Sequence, residues 1–232
     1  LDSGNEARIK KAYESRDPRL QMAVITPYAQ YNGASSGIAH TYTLRWPYRG
    51  SDSAEPFDIR TDTNDKFYYL WRKFVPEGLE QTERDTYGLD IPLIRYAEVL
   101  LLKAEALNEW GSTHESEAIR CVNEVRRRAG HVELNNATYP ATKVNGQSDL
   151  RERIRNEYYW EIGGEDSMYF HELRWGTWKD KKFDNNRNGL MQMWGETTYT
   201  WYWLGDQCWS WPIPAKEMEM NSNLEQNEGW IN

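Results

Sequence analysis

Cysteines, histidines and long apolar runs are all scarce in this chain. Its 232 residues include 2 cysteines and 4 histidines. Two cysteines are too few for a disulfide scaffold, and Cys121 falls inside an amphipathic helical pattern, which favours a buried free thiol over a disulfide with Cys208. The histidines lack metal-ligand spacing, so we expect no metal and no cofactor. No apolar run is long enough to predict a transmembrane helix.

Basic residues are outnumbered by acidic ones. Lys and Arg total 28 against 36 Asp and Glu, giving a formal net charge of −8 at pH 7. A nucleic-acid surface needs clustered Lys and Arg, so this balance argues against that class of function. The one dense basic run, Arg126-Arg127-Arg128, lies in a predicted helix, and we interpret it as a solvent-exposed face. Neither a GxSxG serine motif nor a phosphate-binding loop occurs.

Aromatic residues are what the chain has in excess. Only 39% of residues are hydrophobic, yet 12 are Trp and 15 are Tyr. Each of these side chains joins a large apolar face to a polar tip, so both suit a partly hydrated surface as well as a core. The composition therefore indicates either a wide aromatic binding face or an aromatic core beneath long loops, and leaves both open.

Local patterns predict a helical centre flanked by irregular segments. Residues 5–14 are typical of a short helix and residues 19–27 of a strand. The stretch 28–90 is rich in Gly, Ser, Asp and Tyr with little periodicity. Because aromatic residues recur throughout it, we expect ordered loops there.

Two helices are predicted to form an antiparallel hairpin. The first runs from Pro92, in its first turn, to Trp110 and stops at Gly111; the second covers about Glu115 to Ala129 and stops at Gly130. Apolar or small residues recur at helical spacing on one face of each. The face positions are Leu93, Ala97, Leu100, Ala104 and Leu107 in the first helix, and Ala118, Val122, Val125 and Ala129 in the second.

A third helix is predicted over 148–162, with Ser148 or Asp149 as its cap and Gly163-Gly164 as its end. A shorter helix follows over 165–175. Beyond it the chain becomes irregular until the last twenty residues. There Gly229 permits a bend before Trp230, which we expect to anchor the terminus.

Four segments, in order along the chain, resemble the SusD/RagB family: Asp17–Leu20; Pro92–Ala106 with Val122–Gly130; Ile154–Glu157 with Glu172–Gly176; and Trp211–Trp230. The chain departs from the family pattern at Glu157-Tyr158, where Glu-Arg is usual, and at Glu165–Met168, where Glu-Gly-x-Arg is usual. The resemblance implies a mainly α fold, SusD-like, with a tetratricopeptide-like helical hairpin, long ordered loops and a few short strands.

The resemblance also implies that residues 1–232 form the C-terminal region of such a protein, with partner helices encoded upstream. Within it we expect a loop-rich segment carrying ligand loops (1–90), a helical core (91–176), and an aromatic loop region with the terminal signature (177–232).

The implied function is non-catalytic glycan binding at the bacterial cell surface. By resemblance, a lipoprotein of the outer membrane, anchored by a lipid outside this chain, would bind an oligosaccharide or polysaccharide. It would deliver this nutrient to a SusC-like TonB-dependent transporter. Two alternatives remain: an assembly module or peptide binder without a sugar site in this fragment, and a glycoside hydrolase, which needs two carboxylates across a cleft.

Sugars present C–H patches that stack on aromatic faces and hydroxyls that pair with short polar side chains. One region that fits this chemistry precedes the hairpin and comprises Tyr28, Tyr31, Asn32, Tyr42, Trp46, Tyr48 and Arg49, and the resemblance favours it. The other is the cluster Trp194 to Trp203, near Asn186 and Asn188. The string Asp184–Gly189 has the start of an EF-hand loop but Gly195 at its twelfth position, so we interpret it as a polar turn.

Overall fold

The computed structural model describes residues 3–35, 38–48, 58–62, 70–77, 88, 90–165, 167–183 and 203–230. By its contacts the chain divides into two compact units, Leu1–Met168 and Tyr169–Asn232. In the described part of the chain no helix combines the length and apolar character needed to cross a membrane.

The fold is mainly α, as predicted, with short strands between the second and third helices. In the described residues the α-helices are α1 (Ser3–Glu14), α2 (Pro18–Ala23), α3 (Tyr96–Trp110), α4 (Glu115–Arg128), α5 (Gln147–Ile162), α6 (Ser167–Arg174), α7 (Trp178–Phe183) and α8 (Ala215–Met220). The strands are β1 (Val24–Ile25), β2 (Gln30–Ser35), β3 (Ile38–Tyr48), β4 (Asp58–Asp62) and β5 (Leu70–Trp71).

The strand predicted over 19–27 is wrong for most of its length. Pro18 occupies the first turn of α2, where its missing N–H costs no hydrogen bond. The Asp17 side chain caps the helix by accepting a hydrogen bond of 2.9 Å from the Arg19 backbone N–H. The N-cap at Asp17 therefore favours a helix over the first part of this segment. The β-branched residues that follow form only the two-residue strand β1.

The predicted loop region contains a sheet that the sequence analysis missed. β2 and β3 pair antiparallel, with Tyr31 opposite Tyr42 and Gly33 opposite His40. β4 adds to β3 in parallel, and β1 pairs with β5 separately. In β3, Leu44 is fully buried, whereas His40 and Tyr42, on the same face of the strand, are half-buried.

The helical hairpin is confirmed. Leu101 and Ala104 of α3 and Ala118 and Val122 of α4 are fully buried, and the pairing of the two helices is the closest among the helices of the described chain. Lys103 Nζ lies 2.7 Å from Glu117 Oε1, as expected for helices running in opposite directions from a turn near Gly111.

The start of α3 was predicted too early. The helix begins at Tyr96, and Leu93, placed on the core face by the sequence, is 89% exposed. Arg95 adopts an extended backbone, with φ −114° and ψ 150°, at the helix N-cap. Its side chain forms ion pairs with Glu161 and Glu165. The residue that immediately precedes α3 is therefore this ion-paired arginine, and Pro92 lies outside the helix.

The third predicted helix, α5, packs against α3 and supplies further residues of the core. Gly146, at φ +86°, is its N-cap, so the cap predicted at Ser148 or Asp149 is wrong. Asp149 instead accepts a 2.8 Å hydrogen bond from the Asn145 backbone N–H. The predicted stop at Gly163 is confirmed. The buried face of α5 consists of Leu150, Ile154, Tyr158 and Ile162.

In the second unit the terminal segment is pinned by its own side chains, as predicted. Trp230 Nε1 donates to the carbonyl oxygens of Gln207 at 3.1 Å and Ser210 at 2.9 Å. Gln226 bonds both backbone groups of Ile213, at 2.7 Å and 2.9 Å. Gly229 has the positive φ, +84°, that the bend requires.

Both cysteines are free thiols, so the disulfide is excluded. Cys121 is buried in α4, as its helical position predicted. Burial raises the pKa of the Cys121 thiol, which keeps it protonated at neutral pH.

Candidate functional site

Tyr31, His40 and Tyr42 form one aromatic face on the β2–β3 pair, which we call the tyrosine platform. Tyr31 and Tyr42 face each other across the strands, with ring centroids 6.4 Å apart and planes inclined at 43°. His40 lies two residues from Tyr42, hence on the same side, with its ring 6.2 Å away and edge-on. Strand pairing therefore joins two predicted aromatic residues into one surface.

Gly33 lies under this platform and makes it possible. A Cβ atom on Gly33 would lie 2.8 Å from Tyr31 Cε1 and 3.0 Å from Tyr42 Cε2. Any larger residue would push the rings apart, because such distances are shorter than carbon contacts allow. The glycine inside this strand thus marks a close approach of side chains to backbone.

A polar clamp on the segment after β5 holds the platform. The Tyr31 hydroxyl donates to the Pro76 carbonyl oxygen at 2.6 Å, and the Asn32 backbone N–H donates to Glu77 Oε2 at 3.2 Å. Arg72 pairs with the same Glu77 carboxylate and donates to the Gln30 carbonyl oxygen. Burial alone would raise the pKa of Glu77, but the hydrogen bonds from Arg72 and from the Asn32 backbone N–H, together with the positive charge of Arg72, outweigh it, and the pKa is lowered.

The other predicted site residues are placed differently. Tyr28 is half-buried at φ +63°, and its N–H donates to the Leu44 carbonyl oxygen at 2.7 Å. Asn32 is exposed on the opposite face of β2, where its Oδ1 accepts from Thr41 Oγ1 at 3.0 Å. Trp46 and Tyr48 belong to β3, but their side chains lie outside the described part of the structure, as does all of Arg49.

Of the second aromatic cluster, the structure describes Trp203, whose ring lies 5.0 Å from that of Trp209. The rest of that cluster, with Asn186, Asn188 and the Asp184–Gly189 string, lies outside the described residues. His40 was not predicted as a site residue. In a strand, every second side chain lies on the same face. The spacing of His40, Tyr42 and Leu44 was therefore the sequence feature that could have predicted His40 beside Tyr42.

Charged residues from separate sequence segments converge elsewhere in the first unit. Arg19 Nη1 lies 2.8 Å from Glu157 and 3.1 Å from Glu161, and Arg95 lies 2.9 Å from Glu161. We call this set the ion network. Its members are Asp17, Arg19, Lys73, Arg95, Arg126, Arg128, Glu157, Glu161 and Glu165.

Arg126 corrects the interpretation of the basic run as a solvent-exposed face. Its side chain is buried, lies 3.6 Å from Glu157, and donates from Nε to the Val132 carbonyl oxygen at 2.7 Å. Arg127 and Arg128 are exposed as predicted. Because α4 turns about 100° per residue, consecutive arginines face different surroundings, and one of them faces the core.

The carboxylates of the ion network are poor candidates for acid–base chemistry on a sugar. Glu157 is fully buried, and Glu161, one helical turn later, is held by arginines. Glu165 is paired with Lys73 and Arg95. Within the described ranges, no group of three His, Cys, Asp or Glu side chains could hold a metal ion.

The model of the SusD family matches residues 2–230. The chain belongs to the SusD family. It is 32% identical over 139 residues to a SusD-like protein of Formosa agariphila, covering 60% of this chain and 24% of that protein. It is 28% identical over 161 residues to the starch-binding protein SusD of Bacteroides thetaiotaomicron, covering 69% of this chain and 25% of that protein.

Solved SusD-family structures show the same fold. A SusD homolog from Bacteroides thetaiotaomicron superposes over 98% of this chain and 43% of its own, with a TM-score of 0.61 and 22% identity. A SusD-like protein from Bacteroides fragilis covers 95% and 40%, with a TM-score of 0.59 and 22% identity. The chain thus spans about a quarter of the curated SusD relatives it matches and less than half of these solved chains.

The ion network predicts that this SusD-family chain loses stability in acid. Burial alone would raise the pKa of Glu161, but the hydrogen bonds from Arg95 and Arg19 and the contact with Arg128 together outweigh it, so the pKa lies below its ordinary value of 4.5. The pKa of Asp17 is likewise lowered from its ordinary value of 3.8, because the contacts with Arg19 and His131 together outweigh the effect of burial. A carboxylate with a lowered folded pKa contributes stability above its unfolded pKa and loses it as the pH falls through the folded value.

The measurement is the free energy of unfolding in urea between about pH 6 and about pH 3. We expect the steepest loss below about pH 4.5 in the wild type and a shallower loss in Glu161→Gln. Glu152→Gln removes an exposed carboxylate from the same helix and should leave the slope unchanged. Equal slopes in all three proteins would contradict the prediction. Burial raises the pKa of Glu157, so protonation of that group opposes the loss and does not cause it.

Proposed function

We propose that this chain is part of a non-catalytic, cell-surface glycan-binding protein and that the tyrosine platform contacts the sugar. The observation that carries this proposal is the pairing of Tyr31 and Tyr42 over Gly33, with His40 alongside. Half-buried tyrosine rings offer an apolar face to sugar C–H groups. Ordered backbone on both strands fixes the spacing of the rings before ligand arrives.

Family membership supports the glycan as ligand. A relative that matches 69% of this chain is a starch-binding protein. We extend the proposal to the pathway that the family resemblance implies. The whole lipoprotein would be anchored at the outer membrane and would pass its glycan to a SusC-like TonB-dependent transporter. Parts of the longer relatives that this chain does not cover would correspond to further regions of that complex.

A hydrolase is the less favoured function. Glu157, Glu161 and Glu165 are committed to arginine and lysine partners, and Glu217 and Glu219 are exposed on the short helix α8. A glycosidase needs two carboxyl groups facing one another across a sugar-sized gap. Incubation with the glycan that binds should therefore release no new reducing ends.

The proposal is tested by Tyr42→Ala. The variant removes one ring of the platform, and we expect the dissociation constant for a bound oligosaccharide to rise about tenfold, ~1.4 kcal/mol. Tryptophan fluorescence or calorimetric titration against a panel of plant, fungal and host oligosaccharides measures it. Tyr139→Ala is the matched control, because Tyr139 is 53% exposed in a separate turn.

The two variants separate the outcomes. Weaker binding in Tyr42→Ala with wild-type binding in Tyr139→Ala supports the platform. Unchanged affinity in Tyr42→Ala would refute the platform as the sugar site, and so would an equal loss in both variants. Thermal unfolding of each variant establishes that the fold is intact before binding is compared.

A further inference from the structure

A cleft lined mainly by cationic side chains lies on the first unit, separate from the tyrosine platform. It is a cleft of about 240 Å³ lined by Arg19, Lys73, Arg95 and Arg128, the carboxylate Glu161 and the indole of Trp160. We call it the basic cleft. Its volume is below the ~300–1,000 Å³ typical of drug-sized ligand pockets, so it suits a single ring rather than an extended chain.

Positive charge is in excess here, on a molecule whose formal net charge is −8. The ion network around the cleft contains five cationic side chains and four carboxylates. Burial raises the pKa of Glu157, which weakens the negative side further. A cation-rich cleft with partly buried walls concentrates its potential on small anions.

Most of these cations have structural tasks. Lys73 Nζ donates to the carbonyl oxygens of Glu161 at 2.9 Å and Gly163 at 3.2 Å, at the C-terminal end of α5. Arg95 Nη2 donates to the same Glu161 carbonyl oxygen at 2.9 Å. These bonds satisfy the last carbonyl groups of the helix, where cations are favourable.

Arg128 differs from them. Its side chain is 57% exposed, and its hydrogen bond goes to Glu161, a carboxylate that already accepts from Arg19 and Arg95. A carboxylate shared by three guanidinium groups leaves donor N–H groups directed at solvent, since each guanidinium carries five of them. Arg128 can therefore bind an anion while Glu161 keeps its hydrogen bonds from Arg19 and Arg95.

Trp160 gives the cleft a second kind of contact. Its indole is 44% exposed, and the buried side of the residue is steadied by Arg126, 5.8 Å from the ring centroid, and by the edge of His131. An exposed, positioned indole beside guanidinium groups suits a ligand that has both an apolar ring face and a negative charge.

We propose that the basic cleft binds an acidic sugar, with its anionic group on Arg128 and its ring against Trp160. The shared chemistry is a carboxylate or sulfate ester carried by a sugar ring. This inference deepens the proposed function, on which it rests for the sugar, but uses separate residues. The site would select charged glycans, whereas the tyrosine platform would contact the apolar faces of sugar rings.

The test titrates the protein with D-glucuronate, D-glucose 6-sulfate, D-glucose and inorganic sulfate, at low salt, by calorimetry or by the NMR shift of the Trp160 indole N–H. We expect saturable binding of at least one anionic sugar that weakens about fivefold or more in Arg128→Gln. Arg127→Gln is the matched control, since Arg127 is the adjacent exposed arginine and pairs with Glu133. It should stay within about twofold of wild type.

The outcomes separate cleanly. Preference for the uronate identifies a carboxylate ligand, and preference for the sulfated sugar identifies a sulfate ester; both support the cleft. Glucose or bare sulfate binding as tightly as the acidic sugars would overturn it, and so would equal losses in the two arginine variants. Neutral-glycan binding that is unchanged in Tyr42→Ala, together with acidic-sugar binding that weakens in Arg128→Gln, would contradict the platform and leave the cleft standing.

Discussion

Arg19→Met is expected to lower the free energy of unfolding by about 3–5 kcal/mol, among the largest losses available to a single change in this chain. Arg19 is 8% exposed and touches Asp17, Glu157 and Glu161 together. Without its guanidinium, the fully buried Glu157 faces Arg126 at 3.6 Å, and a negative charge is left poorly compensated in a low-dielectric interior. Urea unfolding monitored by tryptophan fluorescence measures the loss.

Two further variants distinguish lost charge compensation from lost packing. Arg127→Met breaks an exposed pair with Glu133 and should cost no more than about 1 kcal/mol. Arg19→Met combined with Glu157→Met removes both the cation and the carboxylate it neutralises. If uncompensated charge causes the loss, the double variant is more stable than Arg19→Met alone. A double variant no more stable than Arg19→Met would contradict uncompensated charge on Glu157 as the cause of the loss.

The ion network explains why charged residues so far apart in sequence can mark one family. Asp17 and Arg19 enter from α2, Arg95 from the start of α3, Arg126 from α4, and Glu157 from α5. Each alone is an ordinary charged residue. Together they tie three of the four segments that resemble the family into one set of ion pairs, which accounts for their role in the fold.

The helical part of the fold could be predicted because its signals are local. Helical spacing in 96–110 and 115–128 and the glycines that end the helices are readable residue by residue. Burial of Arg126 could not be predicted in this way, because its partners Glu157 and Val132 come from other parts of the chain. A run of like charges looks solvent-exposed until the tertiary partners of each member are known.

The tyrosine platform shows the same limit. Tyr31 and Tyr42 were both predicted as ligand residues, but their pairing depends on the register of β2 and β3, which a weakly periodic sequence specifies poorly. A shift of one residue would move Tyr31 to the other face, where Asn32 now lies. Gly33 was the useful signal, because both rings need its bare backbone beneath them.

The second large effect separates two neighbouring leucines of α3. Leu101 is fully buried against α4, whereas Leu102, the next residue, is 40% exposed. Leu101→Ala should cost about 3–5 kcal/mol, because it removes buried methyl groups and leaves a cavity in the hairpin core. Leu102→Ala should cost about 1 kcal/mol or less, since its side chain is already partly hydrated. Parallel urea titrations of the two variants measure the difference.

This pair of variants is a strict test because the two substitutions have the same chemistry and the same helix propensity. Equal losses at Leu101 and Leu102 would mean that α3 is covered on both faces in solution, which contradicts the exposure of Tyr96, Val99 and Leu102 in the described structure. A large difference would confirm the register of the hairpin.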